Sequence, residues 1–180
     1  MSTYVPRLVL PVGERDHIRG PFTAPVTLLE YGDYECPYCG AAHPIVQEVR
    51  RRVGPPLRFV YRHFPLTNVH PHAELAAEAA EAAGAQGRFW EMHDRLFEHQ
   101  DALADEDLVA HAEVLELDVE RFVRELAAGT HTPRVRQDFT SGVRSGVNGT
   151  PSFYINGVRY DGQFDLASLL GAIEAVLRAA

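Results

Sequence analysis

Between Val26 and Val53 the chain goes from a β pattern to a helical one, and the junction carries its only two cysteines. Val26-Thr27-Leu28-Leu29-Glu30-Tyr31 is a short, mostly apolar, β-prone run, which reads as a buried strand. Downstream, Ala42, Ile45, Val46, Val49 and Val53 recur at helical spacing, so Cys36-Pro37-Tyr38-Cys39 opens an amphipathic helix. Cysteines three apart in a first helical turn face the same side and reach disulfide geometry with little backbone change. Such a pair cannot staple distant parts of a fold. It reads as a switch.

Gly54-Pro55-Pro56 stops this helix, and Leu57 to Phe64 sets Leu57, Phe59 and Tyr61 against Arg58 and Arg62, the pattern of a second strand. Strand, helix and strand with short links make a right-handed βαβ unit with parallel strands. Residues 1 to 25 read as an irregular lead-in, with Leu8-Val9-Leu10 as a candidate edge strand. From about His72 to Ala128 every apolar pattern is helical, with Asp118 as an N-cap before Val119, Phe122, Val123 and Leu126. Thr132 as cap, followed by Pro133 at the first helical position, opens another helix. Asn156-Gly157, between Ser152–Ile155 and Val158–Tyr160, signals an antiparallel hairpin, and a last helix runs from about Leu166 to Leu177. The order describes an α/β protein with a mixed sheet and an all-helical insertion over about 72–128, expected to form one domain over 1–180.

With 17 basic and 25 acidic residues the formal charge is −8, and no basic run exceeds Arg50-Arg51-Arg52. That argues against nucleic acid or an anionic membrane surface as the main partner. No stretch reaches membrane-spanning length, and residues 1–12 are too interrupted for a signal sequence, so the expected location is cytoplasmic, where thiols stay reduced.

The Cys36-Pro37-Tyr38-Cys39 helix start, Gly149-Thr150-Pro151-Ser152-Phe153 before a hairpin, and the helical insertion resemble the DsbA-like branch of the thioredoxin superfamily, from about Pro25 onward. The resemblance implies a thioredoxin fold, thiol–disulfide exchange on protein or peptide substrates, no bound cofactor or metal, and a recycling partner that the sequence does not identify. It also implies a cis bond before Pro151 and a docking edge at Thr150 and Pro151, beside Pro37 and Tyr38. The chemistry of the residues agrees. Cys36 sits where free backbone N–H groups and the helix dipole favour a thiolate, the attacking species in disulfide exchange. Cys39, one turn deeper, is the resolving thiol. Glu30, six positions before Cys36, matches the buried acid that in this superfamily assists proton transfer at the second cysteine, and apolar surroundings would raise its pKa towards neutrality.

Other readings stay open at this level. The cysteines could form half a zinc site completed by His43, His70 or His72, or act as a redox sensor. Glu30 could point to water from an edge strand. As to direction, Tyr38 stands where DsbA-like oxidases usually carry His, and Asp33 and Glu35 add negative charge upstream. Thr150 also resembles the reductase and isomerase branches. These features favour a reductase- or isomerase-like role over a strong oxidant, while Pro37-Tyr38 is a glutaredoxin-like pair and raises glutathione-linked reduction as the alternative.

Overall fold

The computed structural model describes residues 5–179. Its elements are β1 (His17–Arg19), β2 (Val26–Gly32), α1 (Pro37–Val53), β3 (Leu57–His63), α2 (Ala73–Gly84), α3 (Phe89–Glu98), α4 (Asp105–Val114), α5 (Val119–Ala127), α6 (Thr132–Ser145), β4 (Ser152–Ile155), β5 (Val158–Tyr160) and α7 (Leu166–Ala179). The sheet runs β1-β3-β2-β4-β5. β2 and β3 are parallel, as the short βαβ links require, and the other pairings are antiparallel. Asn156 and Gly157 turn the β4–β5 hairpin with φ of 47° and 78°, the left-handed conformation that this dipeptide tolerates. Helices α2 to α5 form the insertion between β3 and α6.

Both faces of the sheet are covered, so β2 is buried at all seven positions. Its alternation sorts side chains between two cores. Val26 and Leu28 of β2, with Phe59 and Tyr61 of β3, pack on Cys39, Ala42, Val46 and Val49 of α1 and on the insertion. Leu29, Tyr31, Val60 and Tyr154 point the other way, towards Phe64 and Val147. Each fully buried aliphatic side chain of this kind contributes roughly 1.5–3 kcal/mol. Pro44 lies inside α1, where it removes one backbone donor.

The structure differs from the sequence reading at the edge. The edge strand is His17–Arg19, antiparallel to β3, and Leu8-Val9-Leu10 belongs to no strand. Between Pro6 and Pro11 the segment has little room for a ladder. It is held instead by single bonds, from Leu8 N to Gly157 O and from Val9 N to Ser145 Oγ. Arg62 likewise does not face water. Its side chain is fully buried, paired with Asp16 at 2.8 and 2.9 Å, and donates to the carbonyls of Leu10 and Pro11. Thr132 is the first residue of α6 and not its cap; its hydroxyl donates to Glu78.

Candidate active site

Cys36 is the N-cap of α1, in extended conformation, and Pro37 opens the helix. Proline suits that place because its missing N–H belongs to the unpaired first turn. Cys36 Sγ donates to Thr150 O at 3.5 Å, and the Thr150–Pro151 bond is cis. The chain thus brings residues 36 and 150 together across the sheet, and Thr150 Oγ1 is buried there with no hydrogen-bond partner. Pro37 and Tyr38 face outward, with Tyr38 65% exposed.

The two thiols are free, and both are buried. Sequence position predicts that Cys36 is the more exposed of the two thiols; Cys36 is 3% exposed and Cys39 is inaccessible, so the order is as expected but the difference in surface is small. Their proton affinities part more clearly. The Cys39 thiol, then the Thr150 side chain and the N–H groups of Cys39 and Tyr38, outweigh burial and lower the Cys36 pKa to about 5. The two N–H groups are the donors that an N-cap side chain serves, so an ionised Cys36 caps its own helix. Burial, the bond to Cys36 and the nearby Glu30 carboxylate push the Cys39 thiol far up.

Glu30 is not at an edge. It lies in β2, the central strand of the five, 2% exposed, on the sheet face that packs against α1, and its Oε1 has no hydrogen-bond partner. Burial, then the Cys36 charge, raises its pKa to about 8. A carboxyl with that proton affinity can exchange a proton near neutral pH.

The contacts that five residues make around the site went unread in the sequence. Asp33 accepts from the N–H groups of Glu35 and Leu66, and its carbonyl accepts from Cys36 N. His70 Nδ1 lies 2.7 Å from Asp33 Oδ2, and His72 Nδ1 lies 2.9 Å from Glu35 Oε1, so both acids before the cysteines are engaged. Gln100, from the turn after α3, donates to the carbonyls of Tyr34 and Cys36. The insertion therefore reaches the active-site loop, although it carries no cysteine. Tyr61 sits beside Glu30 in the β2–β3 register. Only the Asx-type turn at Asp33 has a sequence signal; the others depend on tertiary placement. As for a zinc site, His43 is directed to Gln47, while His70 and His72 meet carboxylates. Among the described residues neither cysteine joins a cluster of three or more ligand-type side chains.

Comparison with known proteins gives the lineage. A family model described as thioredoxin matches residues 13–175. A thioredoxin-like oxidoreductase from Silicibacter pomeroyi is 28% identical, with a TM-score of 0.81 over 93% of this chain and 95% of that one. Wolbachia pipientis alpha-DsbA1 superimposes with a TM-score of 0.82 over 96% of this chain and 95% of its own, at 20% identity, which speaks for the fold. A Salinispora arenicola protein named Na(+)/H(+) antiporter NhaA 1 is 50% identical over 167 residues, 92% of this chain but 26% of that protein. The chain spans about a quarter of the length of the curated relatives it matches, and among the described residues no helix is long and apolar enough to cross a membrane. The chain belongs to the thioredoxin family.

Proposed function

We propose that the Cys36-Pro37-Tyr38-Cys39 dithiol exchanges disulfides with protein or peptide substrates and works as an isomerase or reductase more than as a strong oxidant. The observation that carries this reading is the split between the two thiols, Cys36 at about 5 and Cys39 far above its ordinary value. At neutral pH Cys36 is a thiolate and attacks a substrate disulfide; one substrate sulfur leaves with the electron pair and a Cys36–substrate disulfide forms. The mixed disulfide removes the Cys36 charge that helps to raise the Glu30 pKa, so Glu30 ionises more readily; its carboxylate takes the Cys39 proton, and Cys39 attacks Cys36 Sγ, which closes the Cys36–Cys39 disulfide and releases the second substrate thiolate. Thr150 and Pro151, with exposed Pro37 and Tyr38, form the docking edge.

The stabilised thiolate sets the direction. A Cys36 pKa near 5 lies between the roughly 3.5 of a strong oxidant and the roughly 7 of a reductant. Tyr38 brings no positive charge to the sulfur, and the thiolate is held by hydrogen bonds alone. Ion transport belongs to longer proteins of which this chain matches a quarter, and it forms no part of this proposal.

The test is the reduction potential of the Cys36–Cys39 pair, titrated in glutathione buffers, together with insulin-disulfide reduction and trapping by Cys39→Ala. The expected potential falls at or below roughly −180 mV, and the variant accumulates mixed disulfides. A potential near −120 mV would mark a strong oxidant and overturn the direction. A Cys39→Ala variant that traps no substrate would overturn the exchange chemistry.

A further inference from the structure

Asp33 stands between the end of β2 and the Cys36 N-cap, with its side chain fully buried. A carboxylate in such a place has to be met by donors, and three converge on it. Oδ1 accepts from Glu35 N at 2.8 Å, while Oδ2 accepts from Leu66 N at 2.9 Å and meets His70 Nδ1 at 2.7 Å. The Asp33 carbonyl accepts from Cys36 N at 3.2 Å. One residue thus joins the turn that ends in the nucleophile to the connection between β3 and α2, 33 and 37 positions further along the chain. That connection is closed on itself by bonds from Val69 N and His70 N to Leu66 O, so the turn rests on a folded support. A negative charge beside a nucleophilic thiol opposes the thiolate. An amide would avoid the charge, yet only a carboxylate offers both oxygens as acceptors; in asparagine one would be an NH2 group facing N–H donors.

We propose that Asp33 is the positioning residue of the nucleophile: by fixing the 33–36 turn against the β3–α2 connection, it seats the Cys36 sulfur at the free N–H groups of α1. This rests on the reading above that the Cys36 thiolate attacks the substrate disulfide. The Asp33 carboxylate takes no part in the exchange and acts through the backbone it holds. What it supplies is geometry. Cys36 has φ of −71° and ψ of 122°, the extended N-cap conformation from which a side chain reaches the first-turn N–H groups. Here those groups belong to Cys39 and Tyr38. The three donors offset the Asp33 charge, so the held geometry outweighs its repulsion of the sulfur. The titratable groups packed against Asp33 and Cys36 are Cys39 from α1, Glu30 from β2, Tyr61 from β3, Glu35 from the turn and His70 from the connection. Glu35 in turn accepts from His72 N at 2.7 Å and meets His72 Nδ1 at 2.9 Å, but makes no bond to Cys36.

The experiment titrates the Cys36 thiolate by ultraviolet absorbance in the reduced full chain, for the wild type, Asp33→Asn, Asp33→Ser and Glu35→Gln. Charge and position act with opposite sign. Both Asp33 variants remove a negative charge, which alone would lower the Cys36 pKa, whereas a lost seat raises it. Asp33→Asn is expected to raise it by about one unit, a tenfold weaker hold on the thiolate, and to make the pair less oxidising by about 30 mV. Asp33→Ser keeps an oxygen for the Glu35 N–H, and with it the local turn, so roughly half that rise is expected. Glu35→Gln removes a charge from the same turn and should leave the Cys36 pKa unchanged or lower it. An unchanged or lowered pKa in both Asp33 variants would overturn the proposal and leave the Cys36 reading standing; a merely structural Asp33 would cost melting temperature alone. A rise in Glu35→Gln equal to that in Asp33→Asn would overturn it as well, because the two acids would then act alike. If the wild-type Cys36 titrates at its ordinary value of about 8.5, the thiolate reading falls and the proposal with it.

Discussion

The Cys36 sulfur lies 3.5 Å from the carbonyl oxygen of Thr150, a residue 114 positions away along the chain. The same residue brings a buried, unpartnered hydroxyl to the site, and its side chain helps to lower the Cys36 pKa to about 5. A hydroxyl that serves the thiolate and nothing else can be removed without orphaning another group.

Thr150→Val is therefore expected to raise the Cys36 pKa by about one unit, since hydrogen bonds to charged groups are worth roughly 1.5–3 kcal/mol. At pH 7 the whole difference falls on the reduced state, so the pair becomes less oxidising by about 30 mV. Thiolate absorbance near 240 nm against pH, with a glutathione titration, measures both. An unchanged Cys36 titration would mean that the helix N–H groups hold the thiolate without Thr150.

Glu30 makes the folded state sensitive to pH. Its folded pKa of about 8 lies above the ordinary carboxyl value of 4.5. A raised acid contributes stability fully below the unfolded pKa and loses it as pH rises through the folded one. Glu30→Gln should thus match the wild type near pH 4 and exceed it increasingly between pH 4.5 and 8, by an amount on the order of a few kcal/mol. The depressed Cys36 acts in the opposite sense, adding stability to the reduced protein between about pH 5 and 9, so the comparison belongs on the disulfide form. Urea midpoints across this range check it; parallel curves for the two proteins would contradict it.

Much of this was legible because local patterns and tertiary roles agreed. The period change at Cys36, the Asn156-Gly157 turn and the Asp118 cap all act within a few residues of their cause. The buried place of Glu30 followed from its apolar neighbours on β2. What escaped depended on distant partners. β1 has three residues and no alternation, so it exists only because β3 offers it an edge. Arg62 reads as a solvent-facing strand residue until Asp16 and the Leu10–Pro11 carbonyls arrive to bury it. Gln100 and Tyr61 are ordinary helix-end and strand residues in sequence, and only packing sets them against Cys36 and Glu30.

The Arg62–Asp16 pair supports a prediction of its own. Both side chains are fully buried, and Arg62 also ties the lead-in to the sheet. Removing one partner of a buried pair leaves an uncompensated charge, at a cost of about 3–5 kcal/mol. Asp16→Ala should lower Tm by on the order of 10 °C for a chain of this size, while Cys36 keeps its reactivity because the pair lies under the other face of the sheet. Calorimetry and iodoacetamide labelling of the same variant separate the two effects. A loss under 1 kcal/mol would mean that water reaches Arg62.

The last prediction concerns Gly40 and Gln100. Gln100 donates to Tyr34 O at 2.8 Å and to Cys36 O at 2.9 Å, and a Cβ on Gly40 would collide with its carboxamide. Gly40 lies in the first turns of α1, where alanine is otherwise preferred by roughly 0.5–1 kcal/mol. Gly40→Ala alone should then destabilise, because it pushes Gln100 away from two carbonyls worth about 1 kcal/mol each. In a Gln100→Ala background the obstruction is gone, and the same substitution should be neutral or stabilising. The sign change in a double-mutant cycle identifies the contact as the cause. Because Gln100 bonds to carbonyls and not to sulfur, the reduction potential should move by less than about 30 mV in all three variants. Additive destabilisation, or a potential shift well beyond that, would make the insertion part of the redox centre itself.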